Sequence, residues 1–205
     1  MGWMITFDSI VVEPASLGET TDLRGLFEDD HPIELEIGCG KGGFLLRRAQ
    51  SRPDRNFVGI EWANKYYKYA ADRMARRGLT NVRIMRTDAR HFVMHRLATG
   101  CLAALHIYHP DPWPKKRHHK RRLFQPAFMV AAVRVLAPGA RLAIQTDHAD
   151  YFDQIKAVIA DRPEFDPIPF EDEAYGTIGE EMKTNFEIKY EREGRRFHRL
   201  ALRRV

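Results

Sequence analysis

The segment IELEIGCGKGG, Ile33–Gly43, decides the architecture. Ile33–Gly38 reads as a short apolar strand, and a run of glycines follows it at once. Small residues there let the chain turn sharply into a helix and let a ligand approach the main chain closely. Gly38, Gly40 and Gly43 also satisfy G-x-G-x-x-G, so a dinucleotide site is an alternative. A tight strand-to-helix turn that binds nothing is another.

Outward from this segment, β-branched runs alternate with helical periods. Asn56–Glu61, Val82–Asp88, Leu102–His109 and Arg141–Asp147 read as further strands. Tyr66, Ala70 and Met74 recur every four residues beside Tyr67, Ala71 and Ala75, a helix face that Gly78 is placed to end. Phe128, Met129, Ala132, Val133 and Leu136 form a second face after Pro126, with Pro138-Gly139 expected to stop it. Strand, helix, strand, helix predicts an α/β fold with a mostly parallel sheet and helices on both faces. From Phe186 the pattern changes, and Asn185–Glu193 and Arg196–Arg204 read as two extended stretches around Gly194. They predict a C-terminal antiparallel hairpin at the sheet edge. Arg162–Glu181 reads mostly as loop, and Met1–Glu13 as an extended arm. We divide the chain into an N-terminal arm, 1–32, and a main domain, 33–205.

At 205 residues and 44% hydrophobic, one core suffices. The formal charge of +5 is a weak pointer to an anionic partner. Its distribution says more, because cations crowd into Lys115–Arg122 and Arg192–Arg204. Two cysteines, Cys39 and Cys101, make no disulfide framework and no CxxC pair. No apolar run approaches the roughly 20 residues that span a bilayer, and Met1–Ile10 lacks a signal-peptide layout. The expectation is a soluble, cytoplasmic protein.

In a parallel sheet ligands bind beyond the carboxyl ends of the strands. Glu61 ends the second strand, where a carboxylate can accept hydrogen bonds from both hydroxyls of a ribose. Asp88 ends the third, near where an adenine edge would lie; it could equally be a helix cap. Together with the glycine loop these describe a nucleoside-binding crevice. The fourth strand delivers YHPDPWPKKRHHKRR, Tyr108–Arg122. Pro110 and Pro112 fix φ on both sides of Asp111, so its carboxylate is aimed without the entropy of a flexible loop. Trp113 either stacks on a base or covers the core. Lys115, Lys116, Arg117, Lys120, Arg121 and Arg122 are expected to contact phosphates. His106, His109, His118 and His119 have no cysteine or carboxylate at a familiar spacing, so no metal site is expected. Thr146-Asp147 and Thr184-Asn185-Phe186-Glu187 are polar groups expected at the same edge.

With these residues assembled, the chain resembles the bacterial tRNA (guanine-N7)-methyltransferase family, within the Rossmann-like class I methyltransferases that use S-adenosylmethionine. The likeness covers about Ile33 to Arg204. It rests on E-I-G-C-G-K-G, G-I-E at Gly59–Glu61, H-P-D-P-W-P-K-K-R-H-H-K-R-R, T-D at Thr146-Asp147 and T-N-F-E at Thr184–Glu187. The resemblance implies cofactor contacts from Glu36, Gly38, Glu61 and Asp88, and a catalytic role for Asp111. It implies substrate contacts from Lys115, Asp147, Thr184, Asn185, Phe186 and Glu187. The family methylates a guanine in the tRNA variable loop; N7 carries a free lone pair and needs no deprotonation first. A monomer or homodimer acting on tRNA is expected, with no membrane and no metal. The competing readings are an NAD-dependent oxidoreductase, an adenine amino-methyltransferase and a non-catalytic RNA-binding module that keeps a vestigial crevice.

Overall fold

The apolar segments lie side by side because each is too short and too hydrophobic to stand alone. The computed structural model describes residues 5–171 and 196–205. In chain order it begins with α1 (Phe7–Ile10), β1 (Val11–Val12), β2 (Ile33–Ile37), α2 (Gly43–Ser51), β3 (Asn56–Ile60), α3 (Asn64–Arg76) and β4 (Val82–Met85). It continues with α4 (Ala89–His95), β5 (Leu102–Tyr108), α5 (Pro126–Val135), β6 (Leu136–Thr146), α6 (Ala149–Ile159), β7 (Phe165–Ile168) and β8 (His198–Arg204). The strands form one sheet in the order β1-β4-β3-β2-β5-β6-β8-β7. Pairing is parallel from β1 to β6, and β8 runs antiparallel to both β6 and β7.

The sheet is covered on both faces. Phe57, Val82 and Ile84 point to one side, where Leu45, Leu46 and Ala49 of α2 meet Tyr67, Ala70 and Met74 of α3. Leu35, Val58, Ile60 and Met85 point to the other, against Phe92 and Val93 of α4, Phe128 and Met129 of α5 and Tyr151 and Ile155 of α6. Each such large apolar side chain contributes roughly 1.5–3 kcal/mol by leaving water. Gly42 opens α2 at φ 67°, and a Cβ there would stand 2.6 Å from Met74 Cε; the absent side chain lets α2 and α3 close up. Gly78, at φ 67°, ends the chain's run past α3 as expected.

Three expectations change. The arm is not extended throughout: Thr6 and Ser9 form a reciprocal cap that winds Phe7–Ile10 into a helical turn. Ile10 is then buried with α3, and Val11 and Val12 pair with Ile84 and Met85 of β4. Pro138-Gly139 does not stop α5, which ends at Val135; Leu136 already pairs with Leu102, and the register shifts between Leu102 and Ala104. The stretch expected as loop contains β7, whose Phe165 is buried; Pro167 is tolerated because β7 is the outermost strand. Of the expected hairpin, the second arm is found as β8, while 185–193 and Gly194 lie outside the described residues.

Candidate active site

The carboxyl ends of β2, β3, β4 and β5 open into one cleft of about 810 Å³, within the range of small-molecule sites. Five of the expected site residues line it: Glu36, Gly38, Glu61, Asp88 and Asp111. Gly38 takes φ 73°, and a Cβ added there would meet nothing within 4 Å, so the backbone faces open space where a ligand can approach it. Glu61 is fastened at both oxygens: Gly40 N–H donates to Oε2 at 2.8 Å and Ala63 N–H to Oε1 at 2.8 Å. Each oxygen keeps a second acceptor position, the arrangement needed to receive a pair of vicinal hydroxyls. Asp88 plays the helix-cap part as well, since Oδ1 accepts from His91 N–H at 3.0 Å while the residue lines the cleft. This donor set, a glycine cradle with carboxylates at successive strand ends, fits an adenosyl group.

Asp111 is exposed at the lip of the same cleft. Its loop is strained on both sides, with His109 at φ 51° and Trp113 at φ 42°, conformations that cost non-glycine residues energy and persist only when other contacts impose them. Those contacts are identifiable. His109 N–H donates to Gln145 O at 2.7 Å, and the His109 ring lies against Asp147, with Nδ1 3.6 Å from Oδ1. Arg122 is buried; its Nε donates to Pro112 O at 2.7 Å, Nη1 donates to Gln154 Oε1 at 2.8 Å, and Nη2 pairs with Asp150.

The basic run therefore divides, which corrects the expectation that all six cations face a nucleic acid. Arg122 is spent inside the fold. Arg121 stacks on Trp113 with its guanidinium 5.0 Å from the ring centroid, so Trp113 lines the cleft with a cation over its ring. Lys115, Lys116, Arg117 and Lys120 are exposed on the turn Lys116–Arg121 and its entry. Lys115 and Asp147 do not line the cleft, although Asp147 lies beside His109, which does, and Thr184, Asn185, Phe186 and Glu187 lie outside the described residues.

Beneath the cleft lies a polar cluster that sequence reasoning missed. Glu34 is buried and receives Arg48 Nη2 at 3.0 Å and Nε at 3.1 Å. Its Oε2 lies 2.9 Å from His106 Nε2, and His106 Nδ1 lies 2.9 Å from the hydroxyl of Tyr108, which lines the cleft. Burial opposes ionisation of Glu34, but the bond from His106 and the Arg48 charge outweigh it and hold the carboxyl at about 2. Burial pushes the Cys39 thiol well up and Cys101 to about 11, so neither is a thiolate at neutral pH. Among the described residues no group of three or more His, Cys, Asp or Glu could hold a metal, and no helix is long and apolar enough to cross a membrane.

Comparison with known proteins agrees with this geometry. A family model described as "Putative methyltransferase" matches residues 30–200. The chain is similar to a tRNA (guanine-N(7)-)-methyltransferase of Syntrophotalea carbinolica, 43% identical over 69% of this chain and 61% of that protein. It is similar also to one of Rhodopirellula baltica, 35% identical over 98% of this chain and 76% of that protein. Among solved structures, the aminoglycoside resistance methyltransferase NpmB1 superposes with a TM-score of 0.56 at 14% identity, covering 99% of this chain and 95% of that one. That likeness establishes the class I methyltransferase fold. The chain spans 61% of the length of the first relative and 76% of the second. Fold, cleft and these relatives together place the chain in the tRNA (guanine-N7)-methyltransferase family.

Proposed function

We propose that this chain transfers a methyl group from S-adenosylmethionine to N7 of a guanine in the variable loop of tRNA. The observation that carries the reading is that Asp111 lines the same cleft as Gly38, Glu61 and Asp88. When bound, S-adenosylmethionine supplies a methyl carbon activated by its sulfonium. Glu61 receives the ribose hydroxyls on the oxygens that Gly40 and Ala63 already orient. Asp88 faces the adenine edge, and the Gly38 backbone lies against the rest of the nucleoside. Glu36 completes the cofactor contacts.

On the other side of the cleft Asp111 accepts from the N1–H and N2–H₂ edge of guanine. Its charge favours the positive purine that forms as N7 is alkylated. Adenine, lacking those donors, would leave a carboxylate unmatched, which is a strong basis for rejection. Lys115 and the exposed cations Lys116, Arg117 and Lys120 hold the RNA backbone, with Asp147 and Thr184–Glu187 at the substrate's far side. Catalysis here is chiefly proximity and alignment, so the strained and anchored loop has a purpose. The residues named fall within 33–205, with 1–32 as an arm laid on that unit, and the enzyme works in the cytoplasm where tRNA matures.

The test is incubation with unmodified tRNA and labelled methyl donor, followed by nucleoside mass spectrometry. Label in 7-methylguanosine alone is expected; label in another nucleoside, or none, refutes the reading. Asp111→Ala should lose turnover while keeping its affinity for S-adenosylhomocysteine, and normal turnover in that variant would remove Asp111 from its role.

A further inference from the structure

Among the described residues, three large aromatic side chains stand in water on the outer face of α3 and its entry. Trp62 is 66% exposed, Tyr66 40% and Tyr69 52%. The opposite face explains their position. Tyr67, Ala70, Ala71 and Met74 turn to the core, which leaves Tyr66 and Tyr69 on the outside of the helix. Core packing therefore does not account for these rings, and clustered exposed apolar surface marks a contact site.

Cations are interleaved with the rings. Lys65 and Lys68 are exposed, and Lys65, Tyr69 and Arg73 recur every four residues, so they share one stripe of the helix. Lys41 Nζ stands 5.9 Å over the Tyr69 ring, and Arg73 Nη1 donates to Lys41 O at 3.3 Å, which joins the glycine loop to this face. Positions 64–77 carry five Lys or Arg against one carboxylate, Asp72, which already pairs with Arg76 at 2.7 Å. The face is strongly positive, and it is continuous with the cleft, because Lys41, Trp62 and Tyr66 also line that opening. It follows β3, whereas the basic turn Lys116–Arg121 follows β5, on the other side of β2. Two positive surfaces thus stand on opposite rims of one cleft. A solvated helix face would need the cations but not the rings; a single-stranded nucleic acid uses both, phosphates on the cations and bases on the rings.

We propose that the outer face of α3 is a second RNA-binding surface, which holds an unpaired stretch of the substrate tRNA with a base on Tyr69 and phosphates on Lys65 and Lys68. The inference rests on the tRNA reading above and adds a grip on the rim away from the basic turn. An unpaired stretch is required because a base in a duplex offers no free face to a ring.

The test measures binding of unmodified tRNA by fluorescence anisotropy over a salt series. The double variant Lys65→Gln/Lys68→Gln removes two phosphate partners, so the slope of log affinity against log salt should shrink by about 1.4. With affinities equal at 1 M salt, that change makes binding about 25-fold weaker at 0.1 M. Tyr69→Ala should weaken binding at least about fivefold with the slope unchanged, since stacking releases no counterions. Both variants leave the buried face of α3 intact, and unchanged calorimetric affinity for S-adenosylhomocysteine certifies the fold. Wild-type tRNA affinity in both variants overturns the proposal. Loss in the lysine variant alone overturns the stacked, unpaired strand, and a fall in S-adenosylhomocysteine affinity in folded variants gives the face to the cofactor instead. A wild-type chain that does not bind tRNA overturns the substrate reading itself, and this proposal with it.

Discussion

Arg122→Met asks whether the buried end of the basic run aims the loop that carries Asp111. The variant keeps an apolar stem and removes the guanidinium that donates to Pro112 O and Gln154 Oε1 and pairs with Asp150. A hydrogen bond from a charged group contributes about 1.5–3 kcal/mol. Asp150 is 62% exposed, so water screens its ion pair and it adds little. The two bonds, to Pro112 O and Gln154 Oε1, come together to about 3–6 kcal/mol. Burial of the apolar Met side chain with relaxation of the loop returns part of it, so the loss should be about 2–4 kcal/mol overall, lowering Tm by about 5–15 °C for a chain of this size. The larger effect is on catalysis. Without the anchor on Pro112, the left-handed His109 and Trp113 can relax, each releasing about 1–3 kcal/mol. A displacement of about 1 Å at an aligned group costs about 100-fold in rate. Steady-state methyl transfer, well below Tm and with tRNA varied, should therefore show kcat down about 100-fold and KM for tRNA within about threefold. Calorimetric affinity for S-adenosylhomocysteine should not change. If kcat stays within about twofold while KM for tRNA rises, the guanidinium serves the RNA backbone after all and the anchoring argument is wrong.

Glu61→Ala removes the acceptor of two backbone N–H groups as well as the proposed ribose contact, so affinity for S-adenosylhomocysteine should fall about 10–100-fold in calorimetry; unchanged affinity would take Glu61 out of the proposed site. Gly42→Ala places a methyl group against Met74 at a left-handed residue and should cost about 1–3 kcal/mol in urea unfolding, whereas an unshifted midpoint would mean that α2 and α3 are less tightly apposed than described. Glu34, held at about 2 against an ordinary 4.5, binds fewer protons folded than unfolded. Its contribution of about 3 kcal/mol is whole above about pH 4.5 and is lost as pH falls toward about 2. Glu34→Gln should flatten the wild type's decline in unfolding free energy over that window, and parallel curves for the two proteins would contradict the assignment.

Much of this protein follows from local rules. The strands β2 to β6 and the helices α3 and α5 were readable because apolar periodicity and glycine or proline punctuation are properties of neighbouring residues. That five expected residues would line one cleft was readable for the same reason: in a parallel sheet every strand's carboxyl end falls on one edge, so position within a strand becomes position along the cleft. The rest depended on contacts between distant segments. Arg121 and Arg122 are adjacent and chemically identical, yet one stacks on Trp113 in the open and the other is buried, a choice made by Asp150 and Gln154 on α6. Glu34 and His106 stand 72 positions apart and meet only because β2 and β5 are neighbours, with Glu36 opposite His106. Charge and hydrogen-bonding capacity are written in the chain residue by residue. Whether a group faces water or another side chain is set by which remote segment comes to cover it, and that belongs to the folded molecule alone.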